Sequence, residues 1–370
     1  MVEALGAGEA RYVGGAVRDT LLGLPVKDID MATPLVPQEV IARLDAASIR
    51  NVPTGIEHGT VTAVLAGSPV EITTLRHDVS TDGRRATVAF ASEWREDAAR
   101  RDFTINALYA DPQTREVYDW FGGLADLAER RVRFIGDARQ RIREDHLRIL
   151  RYFRFQARFG SQPADEEAEA ACAELASTLK GLSRERIGME TMNLLGLTNP
   201  ALTVTRMADL GVLAQILPEA QPEALETLVA QEQAQGVAPD PLRRLAALLP
   251  ADAALAEQVA SRFRLSSNQK KRLATAAARE EQAGDARALA YRWGRSEALD
   301  RLLLAGASVA PLEGWDIPQF PLKGGEIVAR GIKAGPEVAR TLRSLEARWI
   351  AEGFPGSDRV LAMLDEVLPG

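Results

Sequence analysis

Alternating apolar and polar residues dominate the first third of the chain. The run HGTVTAVL (58–65), the turn AGSP and the run VEITTLR (70–76) predict a β-hairpin. Ahead of it, PQEVIARL (37–44) predicts a short helix. From about residue 139 the apolar spacing becomes helical, in stretches rich in Ala, Leu, Arg and Glu. Breaks with turn or cap chemistry fall at 160–167, 198–201, 236–241, 265–269 and 314–325. The expected fold class is therefore α+β, a mixed-sheet head followed by an all-helical remainder.

The segment RQRIREDHLRILRYFRFQARF (139–159) predicts one amphipathic helix. Ile149, Leu150, Phe153 and Ala157 fall on the arc suited to burial. Asp145, Arg148, Arg151 and Arg154 step by three across the other half. Between Arg130 and Phe159 stand ten arginines against Asp137, Glu144 and Asp145, in a chain of 370 residues whose formal net charge is −7. That balance excludes a globally basic nucleic-acid wrapper, so any nucleic acid must be met by a local basic patch. Arginine in place of lysine favours planar bidentate contacts to bases and phosphates.

The single cysteine, Cys172, excludes an internal disulfide and a Cys-rich zinc framework, and the three histidines argue against a multi-histidine metal centre. The first residues lack the order of a signal peptide, and no apolar run approaches the ~20 residues that span a bilayer. The expectation is a soluble cytoplasmic protein of two to three domains with no membrane partner.

Candidate chemistry concentrates in YVGGAVRDTLLGLPVKDIDMAT (12–33). Gly14 and Gly15 stand between an extended segment and a helical one, where backbone N–H groups can approach a phosphate, with Arg18 one turn further on. In Asp28-Ile29-Asp30, period-2 alternation puts both carboxylates on one face with Ile29 pointing into the core. Two like charges this close call for a cation. An oxygen-only set suits Mg²⁺, and Glu71 on the strand 70–75 is a third candidate ligand. A phosphate turn upstream of paired carboxylates fits two-metal phosphoryl transfer.

GGAVRD, KDIDMAT, ARRDFTINAL (99–108), DWFGGLADL (119–127), RFIGD (133–137) and EDHLRILRYFRF (144–155) together resemble the class II tRNA nucleotidyltransferase and bacterial poly(A) polymerase family. The match is dense over 11–160 and looser in RLSSNQKKRL (264–273) and FPLKGGEIVARGIKAGPEV (320–338). The resemblance implies a polymerase β-like nucleotidyltransferase head (1–138), a helical neck with a base-reading helix (139–200), a body (201–275) and a tRNA-binding tail (276–370). It implies that Asp28 and Asp30 are catalytic and hold two Mg²⁺ ions, and that Gly14, Gly15 and Arg18 meet the triphosphate. Arg101 and Asp102 match positions that contact phosphate and ribose, and Asn106 is read as supporting that turn. Glu144, Asp145 and Arg148 match base-reading positions, and Arg151 and Arg154 are assigned to the nucleotide site. Lys270, Lys271 and Arg272, and the turn 331–336, are further candidate RNA contacts.

The implied reaction is addition of CCA to tRNA 3′ ends from CTP and ATP. Poly(A) synthesis and partial CC or A addition are the alternatives within the class, and a non-catalytic RNA-binding module is the alternative outside it. The mildly acidic end of the chain argues against a poly(A) polymerase. The segment 78–90 resembles the flexible loop of full CCA-adding enzymes. No histidine follows His146, which excludes an appended HD phosphohydrolase domain.

Overall fold

The computed structural model describes every residue except Lys27, 83–84, Ser92, 280–284 and 368–370, with backbone alone over 77–89. The chain forms two compact units, Met1–Pro222 and Glu223–Gly370, and the boundary falls inside the segment expected to be the helical body.

The first unit is built on a seven-stranded sheet. Its strands are β1 (Arg11–Val13), β2 (Ile29–Thr33), β3 (Asn51–Gly55), β4 (Thr60–Leu65), β5 (Ser68–Thr74), β8 (Tyr109–Ala110) and β9 (Val117–Tyr118), in the order β3-β4-β5-β2-β1-β8-β9. Only β2 and β5 run parallel. The predicted hairpin is β4–β5, closed by Ala66 (φ 48°) and Gly67 (φ 85°), so Ser68 and Pro69 belong to the second strand rather than to the turn. Two left-handed residues match the twist of the flanking strands. A separate two-stranded ribbon, β6 (Arg76–Asp82) with β7 (Arg85–Phe90), occupies the stretch read as a loop; Gly83 and Arg84 lie outside the described residues.

Strand β2 is covered on both faces. Met31 packs with Leu35, with Val40 and Leu44 of the predicted helix, which forms Pro37–Ala46, and with Val61 and Ile72. Ala32 packs on the opposite face with Val13, Ala98, Ala107 and Tyr109. The alternation therefore holds, with one correction: Ile29 is the first residue of β2, at the sheet rim, and stays 37% exposed instead of entering the core.

The single helix expected over 139–159 is two. Ala138–Glu144 ends at Asp145, whose backbone is extended (φ −151°, ψ 105°), and the next helix is Arg148–Phe159. The cause is local: the Asp145 carboxylate accepts the Leu147 N–H at 3.1 Å, a turn that competes with helical hydrogen bonding. The buried face of Arg148–Phe159 is wider than the expected arc, adding Tyr152, Phe155 and Phe159, while Ala157 is only half-buried. Phe103 lies 5.0 Å from both Phe134 and Phe155, centroid to centroid, and joins this helix to the head.

The second unit is all-helical, with two apolar clusters around Leu289–Leu302 and Trp349–Met363. Ser266 caps Ser267–Ala278 in a reciprocal box with Gln269. Among the described residues, no helix is long and apolar enough to cross a membrane.

Candidate active site

Gly14 ends β1 and caps the helix Gly15–Leu21 at φ 65°, ψ −120°, a conformation that only glycine adopts without strain. Its N–H donates to the Leu108 carbonyl at 3.0 Å, and a Cβ at this position would lie 3.2 Å from Nη1 of Arg101. The guanidinium of Arg101 thus packs against the turn itself. It is held from behind, Nε donating to Tyr109 Oη at 3.1 Å and Nη2 to Asp97 Oδ2 at 3.2 Å, while the Tyr109 hydroxyl donates to the same carboxylate. Burial pushes Asp97 upward, but the Arg101 and Arg100 charges and the Tyr109 hydrogen bond outweigh it and hold the carboxyl below its usual range.

Asp28 is exposed in a bend and Asp30 is half-buried in β2. Burial pushes the Asp30 carboxyl above its usual range, Arg101 opposes that shift and the neighbouring charge of Asp28 adds to it. In the parallel β2–β5 register Asp30 stands directly opposite Glu71, so the two share a face of the sheet. Among the described residues, however, no group of three Asp, Glu, His or Cys is gathered closely enough to hold an ion. The donor set on hand is the Asp28–Asp30 pair, with Glu71 beside it.

Arg18 does not stand free at the turn. It is buried, its Nε donates to Asp19 Oδ1 at 2.8 Å, its Nη1 donates to Asn106 Oδ1, and its guanidinium lies 4.1 Å from the centroid of Phe159. Asn106 passes the contact on, donating to Asp102 Oδ1 at 2.9 Å, which also accepts the Phe103 N–H at 2.9 Å. Oδ2 of Asp102 accepts Nε and Nη2 of Arg151 at 2.8 and 2.5 Å. Four donors fill the four acceptor positions of this carboxylate. Burial raises its pKa, but Arg151 and these hydrogen bonds more than reverse the shift. The chain of contacts ends on Glu190 in the helix Arg184–Leu195, which pairs with Arg154 at 2.6 Å and lies 3.8 Å from Arg151.

Asp145 and Arg148 do not face each other on one helix. Asp145 Oδ2 accepts Arg186 Nη2 at 2.7 Å. Arg148 donates to Glu144 Oε2 at 2.7 Å, to the Arg141 carbonyl at 2.9 Å and to the Arg100 carbonyl at 3.1 Å. The arginine-rich stretch is likewise not a free cationic face: Arg131, Arg133, Arg139, Arg141, Arg148, Arg151, Arg154 and Arg158 all have carboxylate partners. In the second unit Lys270 lies 3.5 Å from Glu257, and Arg272 is taken by Asp240 and Asp300 at 2.7 Å each, so the basic triplet is largely paired as well.

Sequence reasoning missed Asp19, Asp97, Tyr109, Arg186 and Glu190. Asp19 had a signal, its place beside Arg18. Asp97 had one too, standing four residues before Arg101 at helical spacing, whereas Arg186 and Glu190 meet Asp145 and Arg154 across 41 and 36 residues and carried none.

A mixed sheet with a glycine turn after β1, paired carboxylates at the start of the adjacent β2 and a following helical region defines a nucleotidyltransferase fold. The Poly A polymerase head domain family matches residues 10–133, and the family described as the probable RNA and SrmB-binding site of polymerase A matches 164–223. The mitochondrial CCA tRNA nucleotidyltransferase 1 of Mus musculus is 35% identical, covering 94% of this chain and 84% of the mouse protein. A CCA-adding enzyme of Leuconostoc citreum is 43% identical over 50% of this chain and 45% of its own length. The crystal structure of Bacillus stearothermophilus CCA-adding enzyme in complex with CTP superposes with a TM-score of 0.74 at 25% identity, covering 99% of this chain and 94% of that one. The chain belongs to the class II tRNA nucleotidyltransferase family, the CCA-adding enzymes and their poly(A) polymerase kin.

Proposed function

We propose that the chain adds C, C and A in turn to tRNA 3′ ends from CTP and ATP, selecting the bases with its own side chains. The observation that supports this best is the Asp28–Asp30 pair beside the Gly14 turn, in a chain similar over nearly its full length to CCA tRNA nucleotidyltransferases. Two adjacent carboxylates, one with its ionised form disfavoured by burial and by the other, fit a divalent cation in place of the absent counter-charge. Two Mg²⁺ ions bound there would lower the pKa of the primer 3′-hydroxyl and neutralise the triphosphate and departing pyrophosphate. Glu71 is the candidate third ligand, brought near by the strand register.

The other residues divide the remaining work. Gly14 and Gly15 let the backbone approach the triphosphate, and Arg101, braced by Asp97 and Tyr109, supplies a fixed positive charge at that turn. Asp102 is already filled by four donors, so it acts by orienting Arg151 and Asn106, and a ribose hydroxyl reaches it only by displacing one of them. Arg18 ties the turn to Asn106, and Arg154 anchors the neck helix on Glu190.

Cytosine and adenine each offer a ring-nitrogen acceptor next to an amine donor. Arg148 donating to the ring nitrogen and Asp145 accepting from the amine satisfy both; uracil and guanine reverse both groups. A buried mismatch costs about 1–3 kcal/mol per unpaired group. An incoming base must draw Asp145 from Arg186 and Arg148 from Glu144. Asp145→Ala and Arg148→Ala are expected to cut CTP and ATP incorporation and to narrow their advantage over UTP and GTP; unchanged base preference in both variants rejects the assignment. Product lengths on tRNA lacking CCA, with CTP, ATP or both, decide among CCA, partial and poly(A) addition, since extended tails from ATP alone would mark a poly(A) polymerase. A reducing cytoplasm is the proposed compartment, supported by the lone buried thiol of Cys172.

A further inference from the structure

We infer that a cavity in the second unit holds one unstacked nucleotide of the RNA substrate, its base against Trp293 and its phosphate between Lys271 and Arg292. This rests on reading the chain as an enzyme that acts on tRNA. The cavity has a volume of about 640 Å³ and lies among the helices Ser267–Ala278, Ala286–Trp293 and Arg295–Leu304, all in the second unit. Its size suits a small planar ligand.

Trp293 forms part of the wall and is 43% exposed. The Arg301 guanidinium sits 4.7 Å from the ring centroid and covers one face, leaving the other for a base. Lys271 and Arg292 line the same cavity, are exposed, and have no carboxylate partner among the described residues. Arg272 shows the contrast: it shares the wall, yet Asp240 and Asp300 consume its charge. Asn268 and Gln269 add amides, and the Gln269 amide nitrogen is free because its hydrogen bond to the Ser266 N–H uses Oε1. Glu297 adds an acceptor suited to a base amine or a ribose hydroxyl. An aromatic plate, two uncompensated cations and mixed donors and acceptors match a nucleoside phosphate: stacking accepts any base, and the cations take the anion. This wall is a stronger RNA contact than the Lys270–Arg272 triplet, because its two free cations come from different helices and flank an aromatic ring.

The test is affinity of the full chain for tRNA lacking CCA, measured by filter binding across a salt series. Trp293→Ala is expected to weaken binding about tenfold or more, and Trp293→Phe to restore most of it. Lys271→Ala with Arg292→Ala is expected to lower the slope of log K against log salt by about 0.7–0.9, the contribution of one neutralised phosphate. Wild-type affinity in Trp293→Ala overturns the inference. Equal losses in the Ala and Phe variants with matching drops in Tm also overturn it, marking Trp293 as packing. AMP or CMP alone serves as the free-nucleotide arm: tryptophan quenching that Trp293→Phe abolishes, with tRNA affinity unchanged, assigns the cavity to a mononucleotide and overturns the RNA reading. Trp293-dependent tRNA binding without nucleotide addition supports this inference and rejects the proposed activity, whereas CCA addition with Trp293-independent binding does the reverse.

Discussion

The buried carboxylates of the second unit and the Asp28–Asp30 pair of the head are used in opposite ways. In the second, Glu232 is 1% exposed and joins Arg243 at 2.7 Å and Arg244 at 2.8 Å, while Asp300 is equally buried and joins Arg272 at 2.7 Å. Each buried negative charge is met by arginine. In the head, Asp28 and Asp30 stand two residues apart, and the influences on Asp30 are burial, then the opposing charge of Arg101, then its own twin, with no ion pair of its own among the described residues. Opposite charges that satisfy one another complete a fold; like charges left side by side mark a place that something from outside must complete. The difference separates scaffold from receptor without reference to any relative.

The largest expected effect breaks the receptor side. Asp28→Ala or Asp30→Ala removes several kcal/mol of charge stabilisation from the reaction and is expected to lower nucleotide addition by about 10³-fold or more, with unchanged circular dichroism. Retention of more than a few per cent of activity would show that the pair is not the ion-holding site. On the scaffold side, Asp300→Ala leaves Arg243 with Glu232 and Arg272 with Asp240 as remaining partners, and the lost charge-assisted hydrogen bonds are expected to cost about 1–3 kcal/mol in urea unfolding. A loss under about 1 kcal/mol would erase the contrast. The smallest effect concerns Asp30 itself. Its folded pKa is raised, so the folded state holds the proton more tightly than the unfolded chain, and ionisation lowers stability as pH climbs through the raised folded value. Asp30→Asn is therefore expected to raise Tm at neutral pH without divalent ions and to make no difference below the unfolded carboxylate range. A lower Tm at neutral pH would contradict the strain assigned to the pair.

Much of the frame was legible because its causes are local. The β4–β5 hairpin, the helix after Pro37, the Gly14 turn and the Ser266 cap each follow from a few adjacent residues. The partnerships were not. Ten arginines read as a cationic face in part because several of their partners lie elsewhere, Asp19 for Arg158 and Glu190 for Arg154, up to 139 positions away. The split at Asp145 was hidden because apolar periodicity runs across it unbroken, while one carboxylate-to-backbone bond decides it. Asp97, not singled out from the sequence, is 1% exposed and braces Arg101 and Tyr109.

The hydrogen bond from Arg158 to Asp19 has a consequence for synthesis. The two residues are 139 apart, and Asp19 also holds Arg18 at the glycine turn. A ribosome working at about 5–20 residues per second takes roughly 7–28 s to make the intervening chain. During that interval Arg18 also lacks the ring of Phe159 beneath it. The glycine turn is thus finished only after the helix that carries Arg158 and Phe159 has been made, and a nascent chain that has not yet reached Phe159 carries its paired carboxylates on an incomplete turn.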